Sequence, residues 1–185
     1  MALAHTILSL LSEGSLSGYD VSKRFDEGIG CYWQASQQQV YRELGKIERQ
    51  GWADFETIPQ EGKPNKKVYR ITEQGWQELV RWYVEPSEPT RIREDLLVKV
   101  RFGYKMPREV LLKELQHRRQ MHLDQLSFYK EKEDHFKSMS NPPIDMQFKY
   151  LTLQRGISYE VNWIEWCDSV LSFLASHPEI GQANE

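Results

Sequence analysis

The chain has 185 residues, 39% of them hydrophobic and 12% aromatic, enough for one domain with a real core or for two small ones. Its net charge of −3 excludes a protein held to nucleic acid by bulk charge alone, and no apolar run approaches the ~20 residues that span a bilayer. Its 2 cysteines, Cys31 and Cys167, lie far apart with no CxxC spacing, which argues against a disulfide framework and for buried thiols in a reducing compartment.

Residues 3–12 predict a short helix with Leu3, Ile7, Leu10 and Leu11 on one face, ended by Gly14. Its start, MALAHTILSLLSEG, has no basic n-region and does not read as a signal peptide. Ser17 caps a second helix, with Asp20 at the capping-box position, Val21, Phe25 and Ile29 inside, and Gly28 and Gly30 as breakers. Ser36 caps a third, with Gln39 completing the box, Val40, Leu44 and Ile47 as its apolar stripe, and Gly51 at its stop. Trp52 to Ile58 reads as a strand, PQEGKPNK as a turn, and Val68 to Ile71 as a returning strand. Thr72 caps a fourth helix whose Trp76, Leu79, Val80 and Tyr83 recur at helical spacing.

Three helices followed by a hairpin form a winged helix-turn-helix pattern, in which the third helix enters the major groove. That gives a context to the outer face of the third helix. Gln37, Gln38, Tyr41, Arg42 and Lys46, with Ser36 at its start, are groups able to meet base edges and phosphates. Lys63, Lys66 and Lys67 surround the hairpin tip and fit phosphate contact. Residues 36–70 are mildly basic: Arg42, Lys46, Arg49, Lys63, Lys66, Lys67 and Arg70 stand against Glu43, Glu48, Asp54, Glu56 and Glu61.

EPSEPTR, Glu85 to Arg91, reads as a linker. Beyond it, Leu96, Leu97 and Val100 mark a short helix ending near Gly103. Pro107 starts a long one reaching about Met139, with Leu115, His122, Tyr129 and Phe136 every seven residues. SNPP breaks the chain before a last helix, from about Asp145 to Ala175. That helix is apolar on two sides. Tyr150, Leu153, Ile157, Val161, Ile164, Leu171 and Leu174 form one stripe; Tyr159, Trp163, Trp166, Val170 and Phe173 form another. Two stripes need two partners. The first is assigned to a homodimer seam, since two-fold dimers match pseudo-palindromic sites; the alternative is that the fourth helix of the winged domain covers the second stripe. Tyr159, Trp163 and Trp166 are either core or the lining of an aromatic ligand site.

No metal motif is present: His117 and His122 fall on different sides of a helix, and His5, His135 and His177 stand alone. A nucleophile elbow, a Gly-rich phosphate loop and clustered carboxylates are also missing, so neither an enzyme nor a cofactor is expected. The expected fold is mainly α with a small β-hairpin wing. Residues 1–84 form a winged helix-turn-helix, 85–92 a linker, and 93–185 a C-terminal antiparallel helical dimerisation domain. The competing function is a helical interaction module whose winged domain binds protein.

Four segments, in this order, resemble the PadR family of bacterial transcriptional regulators: ILSLLSEG at Ile7–Gly14, GYDVSKRF at Gly18–Phe25, the stretch Trp33–Gly51, and KPNKKVYRITEQG at Lys63–Gly75. More loosely, REDLLVKVRFG at Arg93–Gly103 and the Trp-rich last helix are similar to the family's helical region. The resemblance implies a cytoplasmic homodimer that binds double-stranded operator DNA, usually represses, and is often released by a small aromatic molecule. It places recognition residues at Ser36, Gln37, Gln38, Tyr41 and Arg42 and wing residues at Lys63, Lys66 and Lys67. Gln38 departs from the glycine or small residue the family often carries there, which leaves the operator sequence open.

Overall fold

In the computed structural model, which describes residues 2–27, 33–62, 65–90 and 93–180, the first half of the chain closes on itself and the second half does likewise. The two units are Met1–Pro89 and Thr90–Glu185.

The first unit holds helices α1 (Ala2–Ser12), α2 (Gly18–Glu27), α3 (Gln37–Arg49) and α4 (Glu73–Tyr83) and strands β1 (Leu16–Ser17), β2 (Ala53–Ile58) and β3 (Lys66–Ile71). Ile7, Leu8 and Leu11 of α1, Val21 and Phe25 of α2, and Val40, Leu44 and Ile47 of α3 meet in one core with Ala53 and Tyr69 of the sheet. The sheet has three antiparallel strands in the order β1-β3-β2, not the two of a bare hairpin. Leu16 pairs with Tyr69 and Ser17 with Val68, so the residues leading into α2 also tie it to the wing. Ile29, Gly28, Gly30 and Cys31 lie outside the described residues.

Helix α3 ends where Gly51 takes φ 72°. The Trp52 amide donates to the Ile47 carbonyl and the Gly51 amide to the Glu48 carbonyl, a Schellman closure that turns the chain directly into β2. Helix α4 corrects the sequence reading. Trp76, Val80 and Tyr83 are 49%, 47% and 83% exposed, and the inner side is Gly75, Glu78 and Leu79. A close approach and a polar anchor set this register. A Cβ on Gly75 would lie 1.9 Å from the Trp52 carbonyl oxygen. Buried His5 of α1 meets Glu78 at 3.0 Å and stacks on Trp82 with ring centroids 4.8 Å apart.

The second unit comprises α5 (Asp95–Phe102), a 3-10 turn at Gly103–Lys105, and the hairpin of α6 (Arg108–Lys137) and α7 (Ile144–Ser176). Polar rungs fix the antiparallel register along that hairpin. Arg108 donates to the Leu174 carbonyl, Arg119 to Asp168, and Tyr150 to Glu133, while His122 Nδ1 faces Glu160. Leu96, Leu111, Leu115, Cys167 and Leu174 form the core at the open end.

The first stripe of α7, expected as a dimer seam, is in part taken up within the chain. Ile157 and Leu174 are buried within the chain, and Tyr150 stacks on Phe136 with centroids 4.1 Å apart. Leu153, Val161, Ile164 and Leu171 lie on that same side and are half-buried. Of these, Leu171 packs against the core of Leu96, Leu111, Leu115, Cys167 and Leu174. The opposite side, with Ile144, Phe148, Leu151, Tyr159 and Phe173, is exposed.

Candidate nucleic-acid interface

The outward face of α3 is built by its own sequence. Val40, Leu44 and Ile47 are pulled into the core, and at 100° per residue this turns Gln37, Gln38, Tyr41, Arg42 and Lys46 to the exposed side. Ser36 is exposed but committed: its Oγ accepts from the Gln39 amide, while Gln39 Oε1 accepts from the Ser36 amide at 2.8 Å. Of the three glutamines that open α3, that box leaves the amides of Gln37 and Gln38 unengaged among the described residues. Tyr41, 47% exposed, lies against the start of α2, where a Cβ on Gly18 would stand 2.6 Å from its ring. Glycine there lets α2 and α3 approach, which sets the helix-turn-helix crossing.

Ion pairs pattern the charge beside this face. Lys46 holds Glu43 at 2.7 Å, and Arg70 holds Asp54 at 2.6 Å, which keeps the Asp54 carboxyl below its usual range. Lys66 and Lys67 are not at the wing tip, as the sequence reading had them; they sit in β3, opposite Ile58 and Thr57. Lys66 reaches Asp20 of α2 at 3.2 Å. Hydrogen bonds from Ser17, with Lys66 adding to them, hold the Asp20 carboxyl below its ordinary value. Lys67 lies 3.7 Å from Glu48 of α3 and 3.6 Å over the Phe55 ring. Lys63 lies outside the described residues. Arg42 and Arg49 engage no carboxylate among the described residues. The partners of Lys66, Lys67 and Arg70 escaped the sequence reading because each of those pairs joins residues from different elements, whereas Lys46 and Glu43 share α3.

The second unit gathers the other predicted group. Trp163 stacks on His122 with centroids 5.2 Å apart, meets Trp166 edge-on at 5.3 Å, and has Tyr159 at 6.3 Å. The Arg118 guanidinium lies 5.7 Å from the Trp163 ring. His122 Nδ1 is bound to Glu160 at 2.5 Å, and its buried Nε2 has no hydrogen-bond partner among the described residues. Glu160 was missed, although a carboxylate inside an apolar stripe is itself a signal of a buried polar partner. No group of His, Cys, Asp or Glu among the described residues is arranged to hold a metal ion. Among them, too, no helix is long and apolar enough to cross a membrane.

The chain is similar to known proteins along nearly its whole length. The sequence model of the Transcriptional regulator PadR-like family matches residues 7–81, and that of Virulence activator alpha C-term matches residues 92–175. A probable transcriptional regulator of Mycobacterium tuberculosis is 36% identical, over 94% of this chain and 98% of its own. The negative transcriptional regulator PadR of Bacillus subtilis is 32% identical, over 93% of this chain and 97% of its own. The crystal structure of Bacillus subtilis PadR in complex with operator DNA aligns with a TM-score of 0.80 at 30% identity, over 94% of this chain and 99% of that one. The same protein in complex with p-coumaric acid gives 0.74 at 29%, over 95% and 99%. The Vibrio cholerae virulence activator AphA gives 0.78 at 30%, over 94% and 98%.

Proposed function

The chain belongs to the PadR-like family of transcriptional regulators, and on that footing we propose that it works in the cytoplasm as a homodimeric repressor of a pseudo-palindromic operator. The observation that carries this reading is the outer face of α3, where Gln37, Gln38, Tyr41 and Arg42 stand clear of the core. An amide pairs with adenine and a guanidinium with guanine in the major groove. Residues 1–84 read DNA, 85–92 link, and 93–185 dimerise and receive a signal.

The dimer forms through the outer side of α7, because an apolar stripe this exposed on a long helix asks for cover. The signal is a small aromatic molecule lodged against Tyr159, Trp163 and Trp166. The unpartnered Nε2 of His122 supports this, since a ligand group that paired with it would relieve a buried polar atom. Activation is the second reading, favoured by the match of residues 92–175 to a virulence-activator region.

Footprinting on the DNA upstream of the protein's own gene, over a range of salt and with a panel of phenolic acids, tests the proposal. A protected, two-fold symmetric site released by an aromatic acid is expected. Gln38→Ala or Arg42→Ala is expected to weaken this site more than random duplex, whereas Lys66→Ala with Lys67→Ala removes phosphate contacts and lowers the salt dependence of the site. Protection that ignores all four side chains overturns the assignment of the interface.

A further inference from the structure

Four cations on or beside the reading face already have partners. Lys46, Lys66, Lys67 and Arg70 each hold a carboxylate of the same unit, and Arg42 and Arg49 do not. Of the four carboxylates, Asp20 also completes the cap of α2 with Ser17, while Glu43 and Asp54 each hold a cation of their own helix or sheet. Glu48 has no partner but Lys67 among the described residues. It follows Tyr41 by two helical turns and so lies on the same side of α3. Lys67, exposed, rests between this half-buried carboxylate and the Phe55 ring, the Lys67 and Glu48 side chains being 47% and 36% accessible.

We propose that Glu48 is a specificity determinant for DNA: it holds Lys67 off the phosphate backbone and so suppresses binding to sequences that α3 does not read. This rests on the reading of α3 and the wing as the DNA face. Nonspecific affinity comes from cations that neutralise phosphates and release counterions. A lysine that must first leave a carboxylate contributes less to it, and the carboxylate itself repels the backbone. Exposed ion pairs exchange readily, so the same lysine can still move to a phosphate once base contacts fix the helix in the groove. The whole chain is acidic, and a face whose cations are held back in this way reads sequence with little background from bulk DNA.

The test uses the full-length protein with two probes: a random-sequence duplex, and a duplex enriched from a random pool by the protein itself. Glu48→Gln keeps the side-chain shape and removes the charge. It should raise affinity for random duplex roughly fivefold at low salt and steepen the salt dependence by about one unit. Affinity for the selected duplex should rise less, so discrimination falls. In a Lys67→Gln background most of that gain should vanish. Unchanged or weaker random binding by Glu48→Gln would mean the pair merely braces the wing, and it overturns the proposal. A gain of equal size with and without Lys67 overturns it as well. Arg42→Ala run alongside separates the two levels. If it spares both probes, the DNA-face reading falls and takes this inference with it; if it costs the selected duplex while Glu48→Gln does nothing, this inference alone falls.

Discussion

At the scale of single residues, the local signals are the ones the sequence states openly. Ser36 and Gln39 form their box, and Val40, Leu44 and Ile47 fill the core, because both patterns depend on neighbours three or four residues away. Gly75 was legible as a residue and opaque as a constraint. Its meaning comes from the Trp52 carbonyl oxygen, 1.9 Å from where a Cβ would stand. That oxygen also accepts the Thr72 amide, so it cannot simply retreat. Gly75→Ala should therefore cost about 3 kcal/mol, and in a unit of this size each kcal/mol lowers the melting temperature by roughly 4–8 °C. Calorimetry of the variant reads this directly. A melting point within a degree or two of the parent would show that α4 shifts freely.

At the scale of elements, periodicity says that a helix has two apolar sides but not what covers each. The two stripes of α7 were both visible, yet only the polar rungs to α6 decide that Ile157 faces inward and Phe173 outward. The same limit hid the register of α4 and the two-residue strand β1, whose partner Tyr69 is remote in sequence. The assignment of the dimer to the outer side of α7 has a sharp consequence. Phe148→Glu or Leu151→Glu places a charge in the proposed seam and should weaken the dimer by about 3 kcal/mol, roughly a hundredfold in Kd. Helical content should stay intact, because both positions are exposed in the single chain. Ile157→Glu should instead lower helical content and stability by breaking the α6–α7 contact. Sedimentation with circular dichroism separates the two outcomes, and an unchanged Phe148→Glu dimer would remove this face from the interface.

At the scale of the whole molecule, each unit is fastened by a nearly buried carboxylate, and this makes the chain sensitive to acid. In the first unit Glu78 is held at a pKa of about 2, against an ordinary 4.5, mainly by hydrogen bonds from Arg81 and then by His5. In the second, Glu133 is also held at about 2, by Lys130 first, then Lys137 and the Tyr150 hydroxyl. A carboxyl whose folded pKa lies below its unfolded value binds its proton more readily when unfolded. Its contribution to stability is thus complete above pH 4.5 and is lost as pH falls from there toward 2. Allowing for solvent screening, each site should contribute on the order of 1–2 kcal/mol. Denaturant unfolding measured at steps between pH 5 and pH 2 should show both units weakening over that window. Glu78→Gln should flatten the pH dependence of the first unit alone and Glu133→Gln that of the second, because neither substitution leaves a proton to bind. Each variant should be less stable than the parent at pH 7 and approach it near pH 2. If the parent keeps its neutral-pH stability down to pH 2.5, these carboxylates are not fastening the fold, and the depressed pKa values at Glu78 and Glu133 are wrong.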